Sequence, residues 1–127
     1  LHPDLVAWVM GQLPGRVVLV TDAMAAAGQP DGDYKLGDLP VRVRGGVARI
    51  AGTDTIAGST LTLATAVRNA INAGVPWPDD VRAATLNPAR YLGLPGVGEL
   101  VTGAWADAVA FDSDWRPVAV VKRGVLV

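Results

Sequence analysis

The residues Val17-Val18-Leu19-Val20 run into Thr21-Asp22, and a loop rich in alanine, glycine and proline follows as far as Gly32. A carboxylate at the C-terminal end of a buried strand sits where α/β barrels and open α/β sheets gather their working groups. Asp22 follows the buried run there, with a long and conformationally free loop behind it, and is the first candidate for a working group. The alternative reading is a turn aspartate bonded to its neighbouring backbone.

A second candidate is Ile56-Ala57-Gly58-Ser59-Thr60, directly before a helical pattern. Free backbone N–H groups of Gly58 and Ser59 at a helix N-terminus would receive an anion or a polar ligand group. Plain N-capping by Ser59 is the structural alternative. The third candidate, His2, precedes the first helix and would lie near the same strand-end face, or else act as a capping or surface residue. Asn87-Pro88-Ala89-Arg90 has a local explanation as a helix cap and first turn, and Trp77, Trp105 and Trp115 read as covers for apolar surface. One histidine and no cysteine are too few for a catalytic zinc site, which takes about three protein ligands.

Several elements must position these groups. Pro3 to Leu13 predicts a helix, with Pro3 in its first turn, Asp4 at its positive end and Leu5, Val6, Val9 and Leu13 at helical spacing. Pro14-Gly15 stops it, and Val17 to Val20 predicts a strand covered on both faces, the αβ half of a βαβ unit. After a loop over residues 23–33, short strands are expected at Tyr34-Lys35-Leu36, Val41 to Val43 and Val47 to Ile50, with a hairpin turn at Gly45-Gly46. A helix is expected from about Thr60 to Ala73, with Leu63, Val67 and Ile71 as its buried stripe. Further helices begin at Pro78-Asp79-Asp80 and at Asn87-Pro88, the second closed by Gly93. Leu100-Val101, Ala108 to Phe111, Val118 to Val121 and Val125 to Val127 predict a small β segment.

The composition narrows the classes. The chain is 50% hydrophobic and 18% charged, with mean hydropathy +0.32, yet no apolar run approaches the ~18 residues of a spanning helix. The apolar excess is therefore expected to be buried against protein outside this chain, not in a membrane. A net charge of −1 and a pI near 5.7 give no basic footprint for nucleic acid. The lack of cysteine excludes disulfides and fits a reducing compartment, the cytoplasm. A chain that opens on Leu1, directly in helical pattern, reads as a piece of a longer protein.

Taken together, these residues resemble the N-acetylglucosamine-6-phosphate deacetylases of the amidohydrolase superfamily. The similarity is carried by Leu19-Val20-Thr21-Asp22-Ala23-Met24, Ala27-Gly28, Asp31-Gly32 and Gly46-Val47-Ala48-Arg49. It continues through Ile56 to Thr62, Ala66-Val67-Arg68-Asn69, Leu86 to Arg90 and Leu92-Gly93-Leu94. Gly98-Glu99-Leu100, Gly103 and Ala106-Asp107 match the tail of the wider superfamily. The resemblance implies an α/β fold: the C-terminal part of a (β/α)₈ TIM barrel, its last strand and flanking helices, over residues 1–97. Residues 98–127 would be the C-terminal strands of a small β-sandwich.

It further implies hydrolysis of N-acetylglucosamine 6-phosphate to glucosamine 6-phosphate and acetate, with Asp22 as acid/base. His2, Ile56, Ala57, Gly58 and Ser59 would contact the substrate, a small-molecule amino sugar phosphate. The divalent metal of the family, zinc or iron, would be held by a glutamate and two histidines on strands outside this chain, so the chain itself carries no metal ligand. An arginine from a neighbouring subunit would meet the phosphate, as in a homodimer. On this reading the chain alone neither holds the metal nor turns over substrate. The alternatives are another amidohydrolase, an N-acetylgalactosamine-6-phosphate deacetylase or a cyclic amidase, or a non-catalytic binding or assembly module.

Overall fold

The computed structural model describes residues 1–127 as a mixed α/β protein whose strands form two three-stranded antiparallel sheets. The chain divides into two compact units, one of Val20–Leu63 and one of Leu1–Leu19 with Ala64–Val127.

In the unit Val20–Leu63, β1 (Gly32–Leu36), β2 (Leu39–Arg44) and β3 (Val47–Ile50) follow one another as a meander. Strand alternation buries Val41 and Val43 and leaves Arg42 and Arg44 exposed. Arg44 pairs with Val47, so Gly45-Gly46 is a two-residue turn with φ of 57° and 73°. Positive φ at both positions suits glycine and matches the twist of the flanking strands, and the expected hairpin is present. Across β1 and β2, Arg42 donates to both Asp33 carboxylate oxygens, at 2.6 and 3.0 Å. That bond holds the Asp33 carboxyl below its ordinary value. Beneath the sheet, Val41, Val43 and Ala48 pack with Met24, Ala26 and Ala57. Burying a valine is worth about 1.5–3 kcal/mol, and this core ties the sheet to the loop behind Asp22 and to the Ile56–Ser59 stretch.

The other unit holds α1 (Pro3–Gln12), most of α2 (Leu63–Asn72), α3 (Trp77–Ala84), α4 (Leu86–Tyr91) and a second sheet of β4 (Ala108–Phe111), β5 (Pro117–Lys122) and β6 (Val125–Leu126). Met10, Ala70, Val75 and Ala83 form its core, with Val6, Ala7, Val17 and Leu19 against them. The inward face of α2 is centred on Ala66, Val67 and Ala70, so Leu63 is exposed and Ile71 half-buried. Of the expected stripe Val67 alone is fully buried, and two alanines flank it on the inward face.

Three expected elements differ. Val17 to Val20 forms no strand ladder: Asn87 Nδ2 donates to the Val17 carbonyl at 2.7 Å and Leu19 N–H donates to the Ala83 carbonyl at 2.9 Å. Its backbone is thus bonded to helical residues, and Val20 is 75% exposed. Asn87 is consequently not a cap but a residue inside α4 whose side chain reaches this run. Leu100-Val101 is not a strand either; the Val101 carbonyl accepts from Ala104 N–H and closes a turn. No helix is long and apolar enough to cross a membrane.

Candidate active site

Asp22 is exposed and its backbone lies in the left-handed region, at φ 51°. Aspartate enters that region more readily than most residues, but the conformation costs of order 1–3 kcal/mol and persists only where the surroundings fix it. Here the surroundings are Gly58 and Ser59. Ser59 N–H donates to the Asp22 carbonyl at 2.8 Å, and Met24 N–H donates to the Ser59 carbonyl at 2.9 Å. Ala23 and Ser59 form an isolated parallel bridge. The Ser59 hydroxyl donates to the Thr21 carbonyl and accepts from Leu61 N–H at 3.1 Å. Gly58 supplies the close approach: a Cβ there would stand 3.1 Å from the Asp22 carbonyl oxygen and 3.3 Å from Met24 Cβ.

Two of the candidates therefore come together, in a way the sequence did not predict. Ser59 is not the N-cap of α2, which begins at Leu63. Its N–H is not free for an anion, because Asp22 already takes it. Gly58 N–H makes no hydrogen bond within the unit and remains available. Ala57 is buried and bonded through its N–H to the Ala48 carbonyl, whereas the Ile56 side chain is 66% exposed beside it.

His2 caps α1. Its Nδ1 accepts from Asp4 N–H at 3.3 Å and lies 3.6 Å from an Asp4 carboxylate oxygen. In the neutral ring the proton then sits on Nε2, which is exposed and can donate. The capping alternative is observed, and it leaves a free donor.

Residues that sequence reasoning passed over complete the frame. The Asp31 carboxylate accepts from both Gly45 N–H and Gly46 N–H, and Thr60 Oγ1 donates to the Gly46 carbonyl. The hairpin tip is thus clamped between the loop behind Asp22 and the residue after Ser59. The signal was available in Asp31 preceding a glycine, a turn-forming pair, but nothing local says which distant amides it caps. A depression of about 410 Å³ on the same unit is lined by Arg42, Arg44, Arg49 and Asp54 among others, and by none of the candidate residues.

No three His, Cys, Asp or Glu side chains come together as a metal site. The divalent metal implied by resemblance does not fit a site made by these residues alone.

The sequence matches the amidohydrolase family over residues 38–127. A protein of Escherichia coli K12 is 44% identical over 128 residues, covering 99% of this chain and 76% of that protein. The chain belongs to the amidohydrolase family. Its similarity to the N-acetylgalactosamine-6-phosphate deacetylase of Escherichia coli O157:H7 is also 44%, across 99% of this chain but 34% of that enzyme. Among solved structures, the N-acetyl-D-glucosamine-6-phosphate deacetylase of Mycobacterium smegmatis superposes with a TM-score of 0.91 at 45% identity. That structure, an aspartate-to-alanine variant in complex with N-acetyl-D-glucosamine-6-phosphate, is matched over 99% of this chain and 34% of its own length. This amidohydrolase chain thus spans about a third of both deacetylases and about three quarters of the K12 protein.

Proposed function

We propose that this chain is the C-terminal part of a deacetylase that hydrolyses N-acetylglucosamine 6-phosphate to glucosamine 6-phosphate and acetate. The observation that carries the reading is Asp22 itself: an exposed carboxylate on a left-handed backbone, fixed by hydrogen bonds from an adjacent segment. The 45% identity to a deacetylase solved with this sugar phosphate supports it.

Asp22 takes a proton from the attacking water as its oxygen bonds to the acetamide carbonyl carbon. It returns that proton to the amine nitrogen as the C–N bond breaks, which turns a poor leaving group into a neutral amine. His2 Nε2–H is a donor of the kind that a sugar phosphate accepts; in the unit Val20–Leu63, Gly58 N–H is another, with Ile56, Ala57 and Ser59 beside it in the chain as substrate contacts. The metal, zinc or iron, belongs to residues outside this chain. Residues 1–97 contribute the last strand and flanking helices of a TIM barrel, and residues 98–127 contribute strands of a small β-sandwich. The intact protein acts in the cytoplasm as a homodimer.

A second reading is the galactosamine isomer, favoured by the 44% identity to the O157:H7 enzyme. The two substrates differ only in the configuration at C4. Steady-state assay of the complete protein on both N-acetyl sugar phosphates separates them. A higher kcat/KM on the glucosamine compound is expected; a preference for the galactosamine compound establishes the second reading, and no hydrolysis of either overturns both.

A further inference from the structure

We infer that Ser59 is a positioning residue for Asp22, holding the backbone from which the carboxylate projects. The inference rests on the acid/base reading of Asp22. Ser59 bonds to three of the four residues from Thr21 to Met24: its hydroxyl to the Thr21 carbonyl, its N–H to the Asp22 carbonyl, its carbonyl to Met24 N–H. Leu61 N–H occupies a further lone pair of the hydroxyl. A hydroxyl has one proton, and this one is given to Thr21, so in this arrangement Ser59 Oγ donates nothing to a substrate oxygen.

The bonds converge on the one residue of the segment with positive φ. A left-handed aspartate relaxes toward ordinary φ unless its flanking peptides are held, and these are held from both sides. Gly58 is the second half of the device. Any side chain there would press on the Asp22 carbonyl oxygen at 3.1 Å and would itself be strained at φ 63°. An acid/base that must meet first a water proton and then an amine nitrogen tolerates little displacement; a misplacement near 1 Å costs about 10²-fold in rate.

The test is steady-state kinetics of the complete protein on N-acetylglucosamine 6-phosphate. Ser59→Ala is expected to lower kcat by about 10²-fold with KM unchanged, and Ser59→Thr, which keeps the hydroxyl, to recover most of that loss. Gly58→Ala is expected to lower kcat in the same way with the hydroxyl intact, and it decides the matter should Ser59→Ala fail to fold. A rise in KM with kcat preserved makes Ser59 a substrate ligand and overturns the inference. A drop in melting temperature with both constants preserved also overturns it, since Ser59 is then merely structural. Asp22→Asn, measured alongside, distinguishes the layers. If it is inactive while Ser59→Ala and Gly58→Ala keep full kcat, only the positioning role fails; if it is fully active, the acid/base reading fails and takes this inference with it.

Discussion

At the scale of single residues, the Asp80 carboxylate is fully buried in α3 and neither of its oxygens has a hydrogen-bond partner. Burial alone pushes its pKa up from 3.8 to about 6, because the charged form loses its hydration. The folded state thus holds this proton more tightly than the unfolded chain does. Its stabilising effect is complete below the unfolded value and is lost as pH rises toward and through about 6. The difference is about 3 kcal/mol. Asp80→Ala is therefore expected to raise stability at neutral pH and to flatten the fall between pH 4 and 7, as read by urea denaturation. An unchanged pH profile in the variant contradicts this. The sequence offered a partial signal, since Asp80 and Ala83 are three apart and share a helix face. It singled out Asp22, Gly58 and Ser59 one by one, but the bonds that join the two segments span nearly forty positions in the chain, and no local pattern encodes such a pairing.

Among the elements, those with strong local signals were legible. The Pro3 helix, the Gly45-Gly46 hairpin and most strands stand where periodicity and turn chemistry put them. Val17 to Val20 did not, because a strand exists only where another segment pairs with it, and here the run bonds only through the Val17 carbonyl and Leu19 N–H, to residues of α4 and α3. Helix starts also shifted: Ser59 looks like an N-cap in sequence, yet Thr21 and Asp22 compete for its hydrogen bonds and win. The hairpin carries its own prediction. Asp31→Ala leaves Gly45 N–H and Gly46 N–H without their carboxylate acceptor, at a cost of about 1–3 kcal/mol in local stability. Amide exchange at Gly45 and Gly46 should quicken by about 5- to 100-fold, at one decade per ~1.4 kcal/mol, while amides of β4 and β5 keep their rates. Equal protection in variant and wild type would show that Asp31 does not hold the turn.

For the whole molecule, the family and the α/β character were readable from motifs, and the match over residues 38–127 agrees with them. What the sequence could not supply is what covers the apolar surface. Val118, Val125 and Leu126 on the second sheet are exposed, and exposed apolar residues grouped on one small sheet mark an interface or an association hazard. The 127-residue chain on its own is accordingly expected to self-associate with rising concentration in sedimentation experiments and to bind a hydrophobic dye. A monodisperse monomer with a cooperative melt would instead favour a self-sufficient binding module. The account stands or falls on Asp22, and the most direct test is the turnover of N-acetylglucosamine 6-phosphate by the complete protein carrying Asp22→Asn, with substrate binding measured on the same preparation. The account predicts a fall in kcat of ~10²–10⁴-fold with binding retained; turnover close to that of the unaltered protein would contradict it.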